Sequence, residues 1–360
     1  MIYMSNDPLL KAAIWHMKKN IKKQQKPPTM RDVAKLAGVS QPTVSRVLNE
    51  ADTMISISEE TRSKVLAAVQ ELNYRPNVLA RGLRTQKTQM IAVMIADISN
   101  NFYHRIVRAI QDVATTQCYD VMIANTDHLH TNEINFCEAV SRRPVDGVIM
   151  VPIHLTVQDL DDFISRSNTP LTVLGPQINH PHIDVIYGHD ELAIYDATRW
   201  LITERGHQRL GFIGVPDDLP PGPRRFRGFK RALDESQLKI RPEHIAIGDF
   251  TLEGGQRAAH DLLQADTLPS VLVALNDLMA IGAILTLQEA GYRVPEDVAV
   301  IGFDDITEAN IVRPALTTIA QAPYDIGQKL ATCLFERIDN PDLPNRRLES
   351  PLKLIIRGSA

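Results

Sequence analysis

The sequence of 360 residues is poor in cysteine and has no long apolar run. Its three cysteines, Cys118, Cys137 and Cys333, are scattered and odd in number. They therefore suit neither a disulfide framework nor a zinc site and are expected to be free thiols in a reducing compartment. No apolar segment approaches the roughly 20 residues that span a bilayer, and the N-terminus lacks the apolar region of a secretion signal. These absences predict a cytoplasmic protein with no membrane partner.

The sequence also lacks the residue groupings of an enzyme. His207 has no partnered nucleophile, and the histidines in H-L-H (128–130) and H-D-E (189–191) have no matching cluster of metal ligands. The loop G-V-P-D-D-L-P-P-G-P (214–223) does not have the spacing of a phosphate-binding loop. We therefore predict binding without turnover, and neither a cofactor nor a metal.

Charge is divided unevenly between the two ends of the chain. Residues 1–88 contain 15 Lys+Arg and 7 Asp+Glu, which leaves 24 basic and 36 acidic residues in the remainder. A basic head on an acidic body indicates that only the head meets a polyanion such as nucleic acid. Residues 1–28 are predicted to be a basic, disordered extension or to precede the true start, with non-specific phosphate binding as the alternative.

The stretch Thr29–Asn49 has the pattern of two short helices joined by a tight turn. Thr29 and Ser40 are suitable N-caps, Pro42 is tolerated in a first turn, and Gly38 lies where the chain must reverse. The predicted buried residues of the two helices are Val33, Leu36 and Ala37, then Val44, Val47 and Leu48. Such a pair predicts a helix-turn-helix, whose second helix fits the DNA major groove. An ordinary pair of antiparallel helices is the alternative.

A third helix and a short linker follow. Ser58 is predicted to cap the third helix, which turns its apolar residues inward: Val65, Ala68, Val69 and Leu72. Pro76 ends this helix, and Asn77 can cap a short helix over 78–84. A helix of this length is unstable alone, so we expect it to fold when it binds DNA. A solvated linker is the alternative.

Two runs within this region, A-G-V-S-Q-P-T-V-S-R-V-L-N (37–49) and N-Y-R-P-N-V-L-A-R-G-L (73–83), resemble the DNA-binding headpiece of the LacI/GalR (lactose-repressor/galactose-repressor) family. The resemblance implies a headpiece at 29–75 and a hinge helix at 76–88. It also implies which residues contact DNA: Gln41, Pro42, Thr43, Ser45, Arg46, Asn49, Ala80, Arg81, Leu83 and Arg84.

The family pattern assigns these residues different roles. Gln41, Pro42 and Arg46 would face base edges, whereas Thr43, Ser45 and Asn49 would hold phosphates. Leu83 would wedge between central base pairs from the minor groove, flanked by Arg81 and Arg84. Pro42 can offer only an apolar contact, which departs from members with a polar residue there and leaves the operator sequence open.

From Gln89 onward, apolar strands alternate with helices, as in doubly wound α/β sheets. The predicted strands are M-I-A-V-M-I-A (90–96), V-M-I-A-N (121–125), D-G-V-I-M-V (146–151), L-T-V-L-G (171–175), L-G-F-I-G (210–214), S-V-L-V-A-L (270–275) and V-A-V-I-G-F (298–303). Predicted helices include Phe102–Thr116, Asp190–Glu204, Arg225–Glu235 and Asp277–Ala290. The number of strands exceeds one modest sheet, so we predict two lobes.

This region resembles the periplasmic-binding-protein-like core of the same family across residues 89–360. Matching motifs include G-H-Q-R-L-G-F-I-G (206–214), N-D-L-M-A-I-G-A (276–283) and V-P-E-D-V-A-V-I-G-F-D-D (294–305). The resemblance implies two lobes that bind an effector between them. It also implies that the chain crosses from one lobe to the other three times. The lobes would comprise roughly 89–188 plus 320–345, and 189–319 plus 346–360.

Polar and aromatic residues follow the predicted strands, where doubly wound sheets bind ligands. The candidate effector-binding residues are Phe102, Tyr103, Asp190, Arg225, Phe250, Asn276 and Asp304. By resemblance, Arg225 and Asp304 form the effector clamp, whereas Asp97 and Asn100 are read as structural. Hydroxyl-binding and stacking groups together suit a sugar or a nucleoside. Glu191 and Gly175-Pro176 depart from the family pattern and leave the effector's identity open.

Together these features predict an effector-controlled transcription regulator, most simply a repressor, that binds a pseudo-palindromic operator as a homodimer. An effector would change the angle between the lobes and so the ordering of the hinge on DNA. No heptad segment that could form a tetramer is present. The alternatives are a co-repressor or activator variant, and a solute-binding protein that shares the two-lobed core.

Overall fold

The computed structural model describes residues 28–49, 57–75 and 87–360. Residues 87–360 form one compact unit, and the described residues before Gln86 belong to another. Most of the predicted N-terminal extension lies outside the described residues, and so do the hinge residues predicted to contact DNA, Ala80, Arg81, Leu83 and Arg84. Those predictions therefore stay predictions.

The described part of the headpiece contains the helices α1 (Met30–Ala37), α2 (Gln41–Asn49) and α3 (Glu59–Glu71). Gly38 adopts a left-handed conformation with φ 66°, which lets the chain reverse between α1 and α2. The predicted N-caps at Ser40 and Ser58 are confirmed. The hydroxyl oxygen of Ser40 accepts a hydrogen bond from the Thr43 amide at 3.3 Å, and that of Ser58 accepts one from the Thr61 amide at 3.3 Å.

Thr29 is the N-cap of α1, as predicted, and forms a capping box with Asp32. Its backbone N–H and its hydroxyl both donate to the Asp32 carboxylate, at 2.8 and 2.7 Å. The Thr29 hydroxyl hydrogen bond is the largest of the effects that hold the pKa of Asp32 below its ordinary value. The carboxylate also lies in the first turn, where the helix dipole favours negative charge.

The prediction that Leu36 is buried was wrong, because 46% of its surface is exposed. Ala34 is buried instead, beside Val33. Successive helical residues are rotated by about 100°. The buried side of α1 therefore runs through positions 30, 33, 34 and 37, and Leu36 points about 100° away from its centre. Buried Tyr74 completes this small core beyond the end of α3.

Residues 87–360, which are described throughout, contain two six-stranded sheets with strand orders β11-β5-β4-β3-β1-β2 and β12-β10-β9-β8-β6-β7. The strands of the first sheet are β1 (Met90–Ile95), β2 (Asp120–Asn125), β3 (Gly147–Met150), β4 (Leu171–Leu174), β5 (Asp184–Tyr187) and β11 (Arg347–Glu349). Those of the second are β6 (Leu210–Gly214), β7 (Ile245–Ile247), β8 (Val271–Ala274), β9 (Ala299–Asp304), β10 (Thr317–Ala320) and β12 (Lys353–Ile355). All pairings are parallel except that of β10 with β12.

Helices cover both sheets. Those of the first lobe are α4 (Asn101–Thr116), α5 (His130–Arg142), α6 (Val157–Ser167) and α11 (Pro323–Asp339). Those of the second are α7 (Asp190–Thr203), α8 (Pro221–Glu235), α9 (Leu252–Leu262) and α10 (Asp277–Glu289), with short 3-10 turns at Pro242–His244 and Thr307–Asn310. Strands such as β3 and β9 are buried at every residue, so they appear in the sequence as continuous apolar runs.

The chain crosses between the lobes three times, after β5, after β10 and after β11. The predicted boundary of the second lobe at residue 346 was wrong. Strand β11 pairs in parallel with β5, with Arg347 opposite Val185, and so belongs to the first lobe. Only three residues long and partly exposed, β11 carries no apolar run that could have indicated it. Among the described helices of the whole chain, none is both long and apolar enough to cross a bilayer.

Candidate functional site

The second helix of the headpiece presents a polar face. Gln41, Pro42 and Arg46 are exposed, whereas Thr43 and Ser45 are half-buried. The Thr43 hydroxyl lies 2.9 Å from that of Ser40, so it is partly engaged at the start of the helix. The three residues predicted to read bases are thus the ones most accessible to a duplex.

A cavity lies between the lobes, at the carboxyl ends of their parallel strands. It is lined by Phe102, Tyr103, Val151, Pro152, Ile153, Leu174, Gly175, Pro176, Gln177, Gly188, Asp190, Pro221, Arg224, Arg225 and Gln321. Four of the seven predicted effector residues are among them. Phe250, Asn276 and Asp304 are not.

A buried ion cluster forms one wall of this cavity. The Asp190 carboxylate accepts hydrogen bonds from Arg224 at 2.6 and 2.8 Å and from Arg225 Nε at 3.1 Å. Arg225 also donates to the Leu275 carbonyl at 2.6 Å, and its guanidinium lies 3.7 Å from the centre of the Phe303 ring. Burial by itself would raise the pKa of Asp190, but the two arginines hold it below its ordinary value.

The two guanidinium groups keep donors for a ligand. Within the described chain, no oxygen accepts a hydrogen bond from Nη1 of Arg224 or from Nη2 of Arg225. Arg224 was missed in the sequence, although it stands beside Arg225 at the start of α8. The adjacent arginines were a usable signal, because both pair with the buried Asp190 carboxylate.

Asp304 lies behind the cavity rather than in its wall. Its carboxylate accepts a hydrogen bond at 2.6 Å from Gln321, whose side chain does line the cavity. Burial raises the pKa of Asp304 to about 6, against the opposing effects of Arg225 and Gln321. Its φ of 125° is rare for a residue with a side chain. Sequence alone did not reveal that Gln321 stands between Asp304 and the space for a ligand.

Asp277, one residue into α10, is a second buried carboxyl near Asp304. It accepts hydrogen bonds from the Ile306 amide at 2.9 Å and the Thr318 hydroxyl at 2.5 Å. Burial and the charge of Asp304 raise its pKa to about 8. Asp277 therefore ties α10 to the ends of β9 and β10 and helps to fix the position of Asp304.

Asn276 uses its amide for local structure. Its side-chain oxygen accepts a hydrogen bond from the Met279 amide at 3.0 Å and so caps α10. Its Nδ2 donates to the Phe250 carbonyl at 2.8 Å. Phe250 has φ 68°, and its ring stacks on the His128 imidazole of the other lobe at 5.1 Å between ring centres. Asn276 therefore positions Phe250, and neither lines the cavity.

The residues at the start of α4 divide into structural and cavity-lining groups, as the sequence predicts. Asn100 caps the helix by accepting a hydrogen bond from the Phe102 amide at 2.9 Å, and Asp97 accepts bonds from Ser99 at 2.8 Å. Phe102 and Tyr103 turn towards the cavity and are 7% exposed. Burial and the nearby Asp304 carboxylate raise the pKa of the Tyr103 hydroxyl, which remains a neutral donor.

The histidine motifs noted in the sequence do not assemble into a metal centre. Among the residues that the structure describes, no group of three or more His, Cys, Asp or Glu side chains is arranged to hold a metal ion. His207 instead lies 3.0 Å from the Ser270 hydroxyl at the start of β8, where burial lowers its pKa.

Both the N-terminal part and the core of the chain match models of known protein families. Residues 29–77 match the model of bacterial regulatory proteins of the lacI family, and residues 201–360 match a periplasmic binding protein-like domain. The HTH-type transcriptional repressor PurR of Pasteurella multocida (strain Pm70) is 34% identical over 92% of this chain and 98% of its own length.

Solved structures of LacI-type regulators also superpose on this chain. The Lac repressor dimer bound to operator and the anti-inducer ONPF superposes with a TM-score of 0.80 at 28% identity, covering 93% of this chain and 99% of that one. A LacI family transcriptional regulator from Enterococcus faecium with bound ribose covers 75% and 98% of the two chains, with a TM-score of 0.68 at 29% identity.

Proposed function

Because the chain belongs to the LacI family of bacterial transcriptional regulators, we propose that it represses transcription from a pseudo-palindromic operator under the control of a small effector. It would act as a homodimer in the cytoplasm, without catalytic turnover. The observation that carries the proposal is the presence, in one chain, of a helix-turn-helix with an exposed polar second helix and of a cavity between two lobes. The headpiece match argues against a solute-binding protein that shares only the core.

The exposed face of α2 supports sequence-specific contact with DNA. Arg46 can make a bidentate contact to guanine, and Gln41 can bond base edges. Pro42 can contribute an apolar contact, for instance with a thymine methyl group. The half-buried Thr43 and Ser45 are better suited to holding phosphates, which fixes the register of the helix in the groove.

The cavity supports a sugar or nucleoside as the effector. The guanidinium groups of Arg224 and Arg225 and the Gln321 amide supply fixed polar contacts, and Phe102 and Tyr103 supply apolar surface. Such a combination suits a molecule with several hydroxyl groups on a compact ring. The related Enterococcus faecium regulator holds ribose, which agrees with this class. A co-repressor in place of an inducer is the second possibility.

The DNA-binding part is tested by selecting duplexes from a random pool and measuring affinity by fluorescence anisotropy. Arg46→Ala should lose about 1–3 kcal/mol of discrimination at one base pair. Lys64→Ala, which removes an exposed cation from α3, is the control and should retain the preference. Equal weakening of Arg46→Ala on every duplex would contradict base reading at this position.

The effector part is tested by a thermal-shift screen of sugars and nucleosides. A ligand that binds only the folded protein adds about 2.7 kcal/mol of stability at 100 times its Kd. Arg225→Ala should abolish the shift caused by the ligand that the screen finds. Lys230→Ala, on the exposed side of the same helix, should keep it. A shift that survives in Arg225→Ala would place the ligand elsewhere.

A further inference from the structure

A stacked pair of aromatic rings joins the two lobes. His128 follows β2 in the first lobe, and Phe250 follows β7 in the second. Their ring centres are 5.1 Å apart and their planes are inclined by 15°. This is an offset or face-to-face contact between residues 122 positions apart in the chain, and it forms only when the lobes are close together.

The pair lies on the side of the molecule away from the crossings. Strands β2 and β7 are edge strands, at the ends of the two sheets opposite to β11 and β12. The three crossings follow β5, β10 and β11, which lie at or beside the other edges. A rotation of the lobes about the crossings therefore separates His128 from Phe250 further than residues near the crossings. This position is suited to a contact that senses lobe closure.

Both residues have backbone conformations that are unfavourable in isolation. His128 has φ 57° and Phe250 has φ 68°, in the left-handed region that residues with side chains rarely adopt. Each backbone is fixed from its own lobe: His154 Nε2 lies 2.8 Å from the His128 carbonyl oxygen, and Asn276 donates to the Phe250 carbonyl at 2.8 Å. The rings are thus presented to each other by their separate lobes.

The stack also leaves a polar atom unsatisfied. His128 Nδ1 is buried and has no hydrogen-bond partner in the described structure. Water would reach this atom if the lobes separated, so opening recovers a hydrogen bond while it loses the stack. A second cross-lobe contact, from the Asn101 amide to Glu308, likewise leaves Glu308 Oε2 buried and without a partner. The two unsatisfied atoms therefore favour opening of the lobes, whereas the stack favours closure.

We propose that His128 and Phe250 form a latch that holds the two lobes closed and that its release is the movement which an effector controls. Control of this release by an effector rests on the proposed function, because it assumes that the angle between the lobes governs DNA binding. The latch itself concerns the core alone. An aromatic pair of this kind changes a two-state equilibrium by about 2- to 10-fold, which is enough to alter the response without determining the fold.

The latch is tested by hydrogen–deuterium exchange on the full-length protein without ligand or DNA. His128→Ala should speed exchange in the segments around residues 126–130 and 249–252 by about 2- to 10-fold. His128→Phe keeps a ring and should restore slow exchange. His260→Ala is the matched control, because His260 is an exposed histidine of α9. Thermal unfolding of each variant establishes that it is folded.

Unchanged exchange in folded His128→Ala, or faster exchange that His128→Phe does not restore, would overturn the latch. Coupling is then measured as the affinity of His128→Ala for the selected duplex with and without the effector. The ratio of these affinities should differ from that of the wild type by more than about twofold, and an equal ratio would overturn the link to regulation. Absence of sequence-specific DNA binding in the wild type would contradict the proposed function and leave the exchange result intact.

Discussion

At the scale of single residues, the cavity depends on compensated charge. Asp190 is 5% exposed and is compensated by Arg224 and Arg225 from the neighbouring helix. The next residue, Glu191, makes a similar pair with Arg227 on the surface, where both side chains are largely exposed. The carboxylate–arginine pairs of these adjacent residues therefore contribute differently to stability, because only the Asp190 pair is removed from water.

Asp190→Ala should lower the free energy of unfolding by about 3 kcal/mol, because it leaves two guanidinium groups uncompensated in a buried site. Glu191→Ala should change it by about 0–1 kcal/mol, since its exposed pair with Arg227 is screened by solvent. Urea denaturation of the two variants beside the wild type measures both values. Similar losses for both would show that burial does not strengthen the Asp190 cluster.

The Asp277 carboxyl should make stability depend on pH. Because its pKa is raised to about 8 in the folded protein from an ordinary 3.8, the native state holds a proton that the unfolded chain releases. This contribution is complete below about pH 4 and is lost as the pH rises towards 8. Asp277→Asn should therefore flatten the fall in unfolding free energy between about pH 5 and pH 8, measured by urea denaturation.

Asp297→Asn is the control for this pH dependence. Arg293 holds the pKa of Asp297 at about 2, so its contribution is present above the ordinary carboxyl pKa and is lost only in acid. The substitution should lower stability almost equally at about pH 5 and pH 8 and leave the slope unchanged. A slope that is the same in Asp277→Asn as in the wild type would contradict the buried proton.

At the scale of elements, helices α7 and α8 form the frame of the arginine cluster. A Cβ at Gly228 of α8 would lie 2.1 Å from the Glu191 carbonyl oxygen of α7. Only a residue without a side chain allows the two backbones to approach so closely. The position of Arg224 and Arg225 opposite Asp190 follows from this approach.

Gly228→Ala should push α7 and α8 apart, lower the free energy of unfolding by about 1–3 kcal/mol and weaken effector binding. Lys230→Ala on the same helix removes only an exposed pair with Asp234 and should cost about 0.2–0.5 kcal/mol. Denaturation and the thermal shift caused by the ligand measure the two effects. Full effector affinity in a destabilised Gly228→Ala would show that the helix spacing does not position the arginines.

At the scale of the whole molecule, the basic headpiece and the acidic core divide the work of DNA binding and sensing. The charge difference favours contact with DNA through the N-terminal part. Two copies are needed, in our proposal, because a pseudo-palindromic operator offers two equivalent major-groove sites. The cavity between the lobes lies wholly within residues 87–360, so an effector bound there, as we propose, would have to act on DNA binding through the headpiece.

The dimer proposal predicts a strict dependence on half-site spacing. Inserting about 5 base pairs between the half-sites turns one by half a helical turn and should weaken binding by about 100-fold or more, since only one headpiece can then engage. The same insertion outside the half-sites is the control. Gel-shift titration and sedimentation of the free protein provide the measurements, and equal affinity for both duplexes would contradict paired binding.

The sequence by itself determined the features that depend on neighbouring residues. The turn at Gly38, the caps at Ser40 and Ser58 and the buried strands were predicted correctly, because spacing and local hydrogen bonding specify them. Asp190 and Arg225, which lie on helices that follow parallel strands, were also predicted to converge, since parallel strands share one carboxyl edge.

Only the tertiary structure decided what those residues contact. Asp304 was separated from the cavity by Gln321, and the ring of Phe250 was covered by His128 of the other lobe. The placement of β11 in the first sheet came from its pairing with β5. These contacts join parts of the chain that are distant in sequence. Their geometry is set by the crossings between the lobes and by how closely neighbouring backbones approach, and neither leaves a periodic pattern in the sequence.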